Sequence, residues 1–113
     1  MKPEIELLKK ARAILKKCGH TKHMLEDFDG RVCLNGALFK ARTGNAIVCG
    51  GVRGPRTLAC DFIDDDLGRA HQRICKAIGV VSEWEIVGWN NRPERTQAEV
   101  EKALTAAIAG KSL

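Results

Sequence analysis

A mainly α-helical single domain is the fold class that this sequence predicts. Several segments place apolar residues at the helical period of about 3.6 residues, and Gly, Pro and capping residues mark where these segments begin and end. The 113 residues are 44% hydrophobic and 29% charged, which suits one globular domain. We therefore expect residues 1–113 to form one compact domain of four or five helices, with an irregular Gly-rich loop or a small β-hairpin.

The first predicted helix spans residues 3–18. Its apolar residues lie along one stripe: Leu7, Leu8, Ala11, Ile14, Leu15 and Cys18. Pro3 suits the first turn, and Gly19 is placed to end the helix in a left-handed conformation. The other side of the helix carries basic residues, as is typical of a solvent-exposed face: Lys9, Lys10, Arg12, Lys16 and Lys17.

The middle of the chain is less regular. Residues 20–32 are predicted to be irregular or a short hairpin with a turn at Asp29-Gly30, and residues 33–42 a short helix. Gly36 inside this helix is of the kind that permits close approach of another backbone. Residues 43–57 hold four of the eleven glycines and predict an exposed loop or a small hairpin.

Three further helices are expected in the second half. Residues 64–78 begin with three aspartates and are followed by Gly79. Ser82 can cap a short helix over residues 83–88, which precedes a turn over residues 89–93. The final helix starts at a capping box, Thr96 with Glu99, and closes near Gly110.

Composition excludes several classes of protein. The start of the chain has no uninterrupted apolar run, and no stretch approaches the length of a membrane span, so we expect a cytoplasmic protein that does not contact a membrane. The five cysteines are expected to be free thiols in a reducing compartment. Aromatic residues are few, so the core should be aliphatic, and both tryptophans should contribute to it. Few rings also argue against a base-stacking platform.

Two elements resemble a family of small uncharacterised proteins from actinobacteria and their phages. One is Asp29-Gly30 followed by residues 33–38, Cys-Leu-Asn-Gly-Ala-Leu; the other is Trp89-Asn90-Asn91 followed by Arg95-Thr96 and Glu99-Val100. That family has a Cys-x-x-Gly-Ala-Leu helix and a Trp-Asn-Asp turn leading into a helix that starts Arg-Thr-x-x-Glu-Val. This sequence departs from it at Asn91 and in residues 43–57. The resemblance implies a compact helical fold and an actinobacterial or phage origin, and it implies no activity.

The turn after the short helix has two interpretations. A short polar side chain such as Asn90 can bond the backbone of a tight turn and of a helix start, and Trp89 would then pin that turn to the core. We favour this structural role. The alternative is a binding pocket beside Trp89, Asn90 and Arg95.

Metal and thiol chemistry are weaker hypotheses. Four ligand-type side chains, Cys18, His20, His23 and Cys33, fall within sixteen residues, but their spacing matches no common zinc module. His71 and Cys75 share one helix face without completing a second site. Cys33 at a helix start could serve as a nucleophile, because a helix N-terminus lowers a thiol pKa, yet packing is its simpler role. We therefore predict no metal, no cofactor and no enzymatic activity.

The function we expect is a non-catalytic binding or regulatory module whose partner is another protein. A phage-encoded factor that contacts a host protein is the form that the resemblance suggests, and an exposed apolar patch on the Trp84 helix would favour it. The main alternative is a nucleotide or nucleic-acid binder, since the net charge is +5 and Arg53 and Arg56 lie in a Gly-rich segment that could approach a phosphate. That site would include the basic face of the first helix. A Cys33-dependent enzyme is the third hypothesis.

Overall fold

The protein is helical throughout the part of the chain that the computed structural model describes, residues 2–44 and 65–113. Five helices form in these ranges: α1 Pro3–Cys18, α2 Leu34–Thr43, α3 Asp65–Ile78, α4 Glu83–Asn90 and α5 Gln97–Ala109. The predicted mainly α fold class is confirmed. The Gly-rich segment, from residue 45 onward, lies outside the described residues.

Helix α1 is the centre of the packing, because it contacts α2, α3 and α5, while α4 rests on α2 and α3. The stripes predicted from the sequence meet in one aliphatic core. Its largest fully buried side chains are Leu8, Leu15, Val32, Leu34, Leu38, Ile74, Ile86, Val100 and Leu104. None of the described helices is both long enough and apolar enough to cross a membrane.

The helix ends agree with the sequence in most places. The predicted capping box at Thr96 is present: its side chain accepts from the Glu99 N–H, and the Glu99 carboxylate accepts from the Thr96 N–H. Gly19 ends α1 at a positive φ of 93°, but its ψ of 168° lies outside the left-handed helical region, so that detail of the prediction is wrong. Helix α4 also continues to Asn90, so Trp89 and Asn90 belong to its last turn and not to a loop.

Residues 20–32 adopt an irregular path and not a hairpin. Val32 makes two isolated bridges, one parallel to His20 and one antiparallel to Glu26. The predicted turn at Asp29-Gly30 exists, because the Gly30 N–H donates to the Asp27 carbonyl at 3.0 Å. This segment therefore has few backbone partners of its own, and its position must come from neighbouring helices.

Gly36 is where α2 meets this irregular segment at the closest range. A Cβ added at Gly36 would lie 2.0 Å from the carbonyl oxygen of Leu25. That distance is far below van der Waals contact, so only glycine allows the two backbones to approach as they do. The predicted reason for a glycine inside this helix is thus confirmed.

We expect Gly36→Ala to destabilise the protein by about 2–3 kcal/mol, because the methyl group forces α2 away from Leu25. Urea unfolding measures the change. Gly88→Ala is the matched control, since Gly88 is also helical and no atom lies within 4 Å of a Cβ built there. The control should be neutral or stabilising by up to about 1 kcal/mol, and equal losses in the two variants would contradict the close approach.

Candidate functional site

Asn90, the last residue of α4, lies at the centre of a buried polar cluster and is only 2% exposed. Its Oδ1 accepts from the Leu34 N–H at 3.1 Å and from His20 Nε2 at 2.9 Å. Its Nδ2 donates to the Thr21 carbonyl at 3.3 Å and to Asn91 Oδ1 at 3.0 Å. The amide thus joins α4 to the start of α2 and to the segment after α1.

The partners fix the orientation of this amide and the proton on His20. A backbone N–H can only donate, so the atom facing Leu34 must be the oxygen, and a carbonyl can only accept, so the atom facing Thr21 must be the nitrogen. Since Oδ1 only accepts, His20 must carry a proton on Nε2.

Asn91 extends the cluster to the surface. Its Oδ1 accepts from the His23 N–H at 2.8 Å, and His23 is the one non-glycine residue with positive φ, 68°, in the described ranges. Lys22 Nζ also donates to the Pro93 carbonyl at 2.9 Å. Residues 20–23 and 90–93 are therefore clamped together by side chains.

Trp89 and Arg95 form the adjacent contact. The Arg95 guanidinium lies 3.8 Å from the centre of the Trp89 ring, and its Nε donates to the Trp89 carbonyl at 2.9 Å. Trp89 packs against the core. The structure thus brings Trp89, Asn90 and Arg95 together, and the contacts that they make are those of a staple between α4 and α5.

The residues considered as metal ligands lie in separate environments. Cys18 packs against the core, His20 is bonded to Asn90, and His23 is exposed. Within residues 2–44 and 65–113, no three or more His, Cys, Asp or Glu side chains group as a metal site would require.

His71, the other histidine considered, is buried in α3. Its Nδ1 donates to the Leu67 carbonyl at 3.0 Å, and its Nε2 lies 3.2 Å from Asn35 Oδ1. The ring therefore joins α3 to the first turn of α2.

Cys33 is the residue that caps α2. Its Sγ accepts from the Gly36 N–H at 3.3 Å. Burial raises the pKa of this thiol, and the backbone N–H groups of the helix start only partly oppose that effect. The expected lowering of the pKa by the helix N-terminus does not prevail, so the thiolate that a nucleophile requires is disfavoured here.

The predicted basic site can be located only in part. Arg53 and Arg56 lie outside the described residues. On α1 the lysines of the basic face are exposed, whereas Arg12 donates to Thr105 Oγ1 at 3.0 Å and so links α1 to α5.

An exposed apolar surface on α4 is the feature that the sequence interpretation missed in part. Val81 is 92% exposed, Trp84 61% and Val87 40%, and Gly88 is open to solvent beside them. We call Val81, Trp84, Val87 and Gly88 the α4 face. The expectation that both tryptophans contribute to the core is wrong for Trp84. The spacing of residues 81, 84 and 88 along a helix, opposite Ile86, is the signal that could have revealed this face.

Fold and cluster together define a small all-α protein whose fourth described helix is held by a buried amide. The chain belongs to the Family of unknown function (DUF6197), whose model matches residues 1–110. No curated protein and no solved structure matches it. The expectation of a family without an assigned activity is thereby confirmed at that level.

Replacing Asn90 should show how much the cluster contributes to stability. We expect Asn90→Ala to lower the free energy of unfolding by about 2–4 kcal/mol, because the Leu34 N–H and the Thr21 carbonyl lose their partner in a buried place. Asn90→Asp should be destabilising as well, since an acceptor oxygen would then face the Thr21 carbonyl. Thermal or urea unfolding measures both changes.

Asn91→Asp is the matched control for these variants. Both hydrogen bonds found at the Asn91 side chain are accepted by Oδ1, so a carboxylate can keep them. We expect its stability to stay within about 0.5 kcal/mol of the wild type. A loss as large as that of Asn90→Asp would mean that added charge, and not the lost donor, explains the Asn90 result.

His20 should make the stability depend on pH. Burial lowers the pKa of His20 below its ordinary value of 6.5, the Asn90 bond opposes this, and Lys22 adds to it. Because the folded protein favours the neutral ring, the unfolded chain takes up the proton first as the pH falls. This contribution is therefore complete above about pH 6.5 and is lost as the pH drops through the folded-state pKa.

The His20→Gln variant isolates that contribution. The wild type should be more stable than the variant near neutral pH, and the difference should shrink as the pH falls to about 5. Urea unfolding at a series of pH values measures it. A difference that stays constant over this range would contradict the assignment.

Proposed function

We propose that this protein is a non-catalytic protein-binding module whose binding surface is the α4 face. The observation that carries the proposal is the exposure of Val81, Trp84 and Val87 on one short helix. Tryptophan is among the residues that contribute most to binding when they become buried at an interface. An exposed apolar cluster on a small protein is a typical mark of such an interface.

The α4 face is presented on a rigid support, which favours binding. Ile86 is fully buried on the opposite side of the helix. The Glu85 carboxylate accepts from the N–H groups of Val81 and Ser82, both at 3.2 Å, and so holds the start of α4. Asn90 holds its end. A preorganised surface loses less conformational entropy when a partner binds.

The setting that we propose follows the family resemblance. The protein would be a phage-encoded factor, of actinobacterial or actinophage origin, that contacts a host protein in the cytoplasm. Free thiols at Cys18, Cys33 and Cys75 support a reducing compartment.

Capture of partners from a host lysate by the tagged protein tests this function. We expect Trp84→Ala to reduce the yield of specific partners at least about tenfold, since burying such an anchor contributes about 2 kcal/mol or more. Quantitative mass spectrometry compares the variants, and unfolding curves confirm that each is folded.

Phe28→Ala is the matched control, because Phe28 is a fully exposed aromatic on the turn between α1 and α2, away from α4. It should leave partner capture unchanged. If both variants capture the same proteins as the wild type, the α4 face is not the binding surface. If both lose them equally, the capture depends only on general surface hydrophobicity.

A further inference from the structure

A second concave surface lies between α1, the end of α2 and the start of α3. It is a groove of about 590 Å³, lined among others by Glu6, Leu7, Lys9, Lys10, Arg42 and Asp66. Small-molecule sites typically have volumes of about 300–1,000 Å³. The groove is thus large enough for one small ligand and too small for a protein partner.

The groove follows from the helical period of α1. Pro3, Glu6, Leu7 and Lys10 recur at the i, i+3, i+4 and i+7 positions of one face, and Lys9 stands beside them. Leu7 is buried, so this face has an apolar floor near its middle and cationic side chains toward one end. Arg42 approaches from the last turn of α2.

The charges around the groove do not simply cancel. Asp66 is already paired with Arg69, which also reaches the buried carboxylate of Glu4 at 3.4 Å. Lys9 and Lys10 are both exposed, and no ion pair of either lysine is found among the described residues. Two ammonium groups and the Arg42 guanidinium thus border one cavity, an arrangement that favours an anion with several acceptor oxygens.

We propose that this groove binds a small organic phosphate of the size of a nucleoside monophosphate. The phosphate would lie against Lys9, Lys10 and Arg42, and the Glu6 carboxylate would accept from hydroxyl groups of the ligand. The apolar part of the ligand would cover Leu7 and its neighbour Ala41. This site uses none of the α4 face and does not depend on Arg53 or Arg56.

Isothermal titration at low salt, with AMP as the probe, tests the site. The wild type should bind one AMP per chain with saturation. Lys9→Glu combined with Lys10→Glu should weaken the affinity at least about tenfold, because charge-assisted contacts contribute about that factor or more. Arg42→Ala, on a different helix, should weaken it as well.

Lys16→Glu combined with Lys17→Glu is the matched control. It makes the same charge change on the same helix, in the last turn of α1 and outside the groove, so AMP binding should survive. Equal weakening by both double variants would overturn the proposal in favour of a general charge effect. No saturable AMP binding would overturn it too.

Two competitors separate the remaining sources of binding. Inorganic phosphate that binds as tightly as AMP would show that the groove recognises no organic part, which contradicts the proposal. A DNA oligonucleotide that binds more tightly than AMP and depends on Lys16 and Lys17 would assign the basic side of α1 to nucleic acid instead. Weak competition by both supports the groove.

Discussion

The amide of Asn90 provides the hydrogen bonds that the start of α2 lacks. The first N–H groups of a helix have no partner inside it, and a Ser, Thr, Asp or Asn side chain usually supplies one. Here the capping residue is Cys33, whose sulfur accepts only weakly and only from Gly36. The Leu34 N–H is satisfied by Asn90, which lies 56 residues further along the chain. The start of α2 is therefore completed by the end of α4.

That interaction also determines how the irregular segment between α1 and α2 is held. One side of it is fixed by Asn90 and Asn91 through Thr21 and His23. The other side lies against Gly36, where the Leu25 carbonyl accepts from the Cys33 N–H at 3.2 Å. Residues 20–33 thus keep one conformation without forming a strand, because side-chain amides and a close helix backbone replace the missing ladder. The orientation of α4, and with it the exposure of Trp84, depends on the same contacts.

The sequence predicted well those features that repeat with the helical period. The stripe of α1 fixed its limits at Pro3 and Cys18, and the interior glycine of α2 signalled the contact with Leu25. Helix α4 was predicted poorly, because an eight-residue helix with apolar side chains on both faces gives no indication of which tryptophan turns inward. The bonds of Asn90 to His20 and Leu34 bridge 70 and 56 residues, and no local pattern encodes such distances. The turn chemistry of Asn90 could therefore be predicted, whereas its distant partners could not.

The two proposed binding surfaces lie at opposite ends of one helix. The start of α2 contacts Asn90 at the end of α4, and its last turn carries Arg42 at the groove. Ten helical residues separate these ends by about 15 Å. A ligand in the groove and a partner on the α4 face would therefore not exclude each other sterically. Coupling between the two surfaces would require α2 to shift as a unit, and the contact between Gly36 and the Leu25 carbonyl leaves it no space to move in that direction. The packing that holds the polar cluster in place thus also favours independent occupation of the two surfaces.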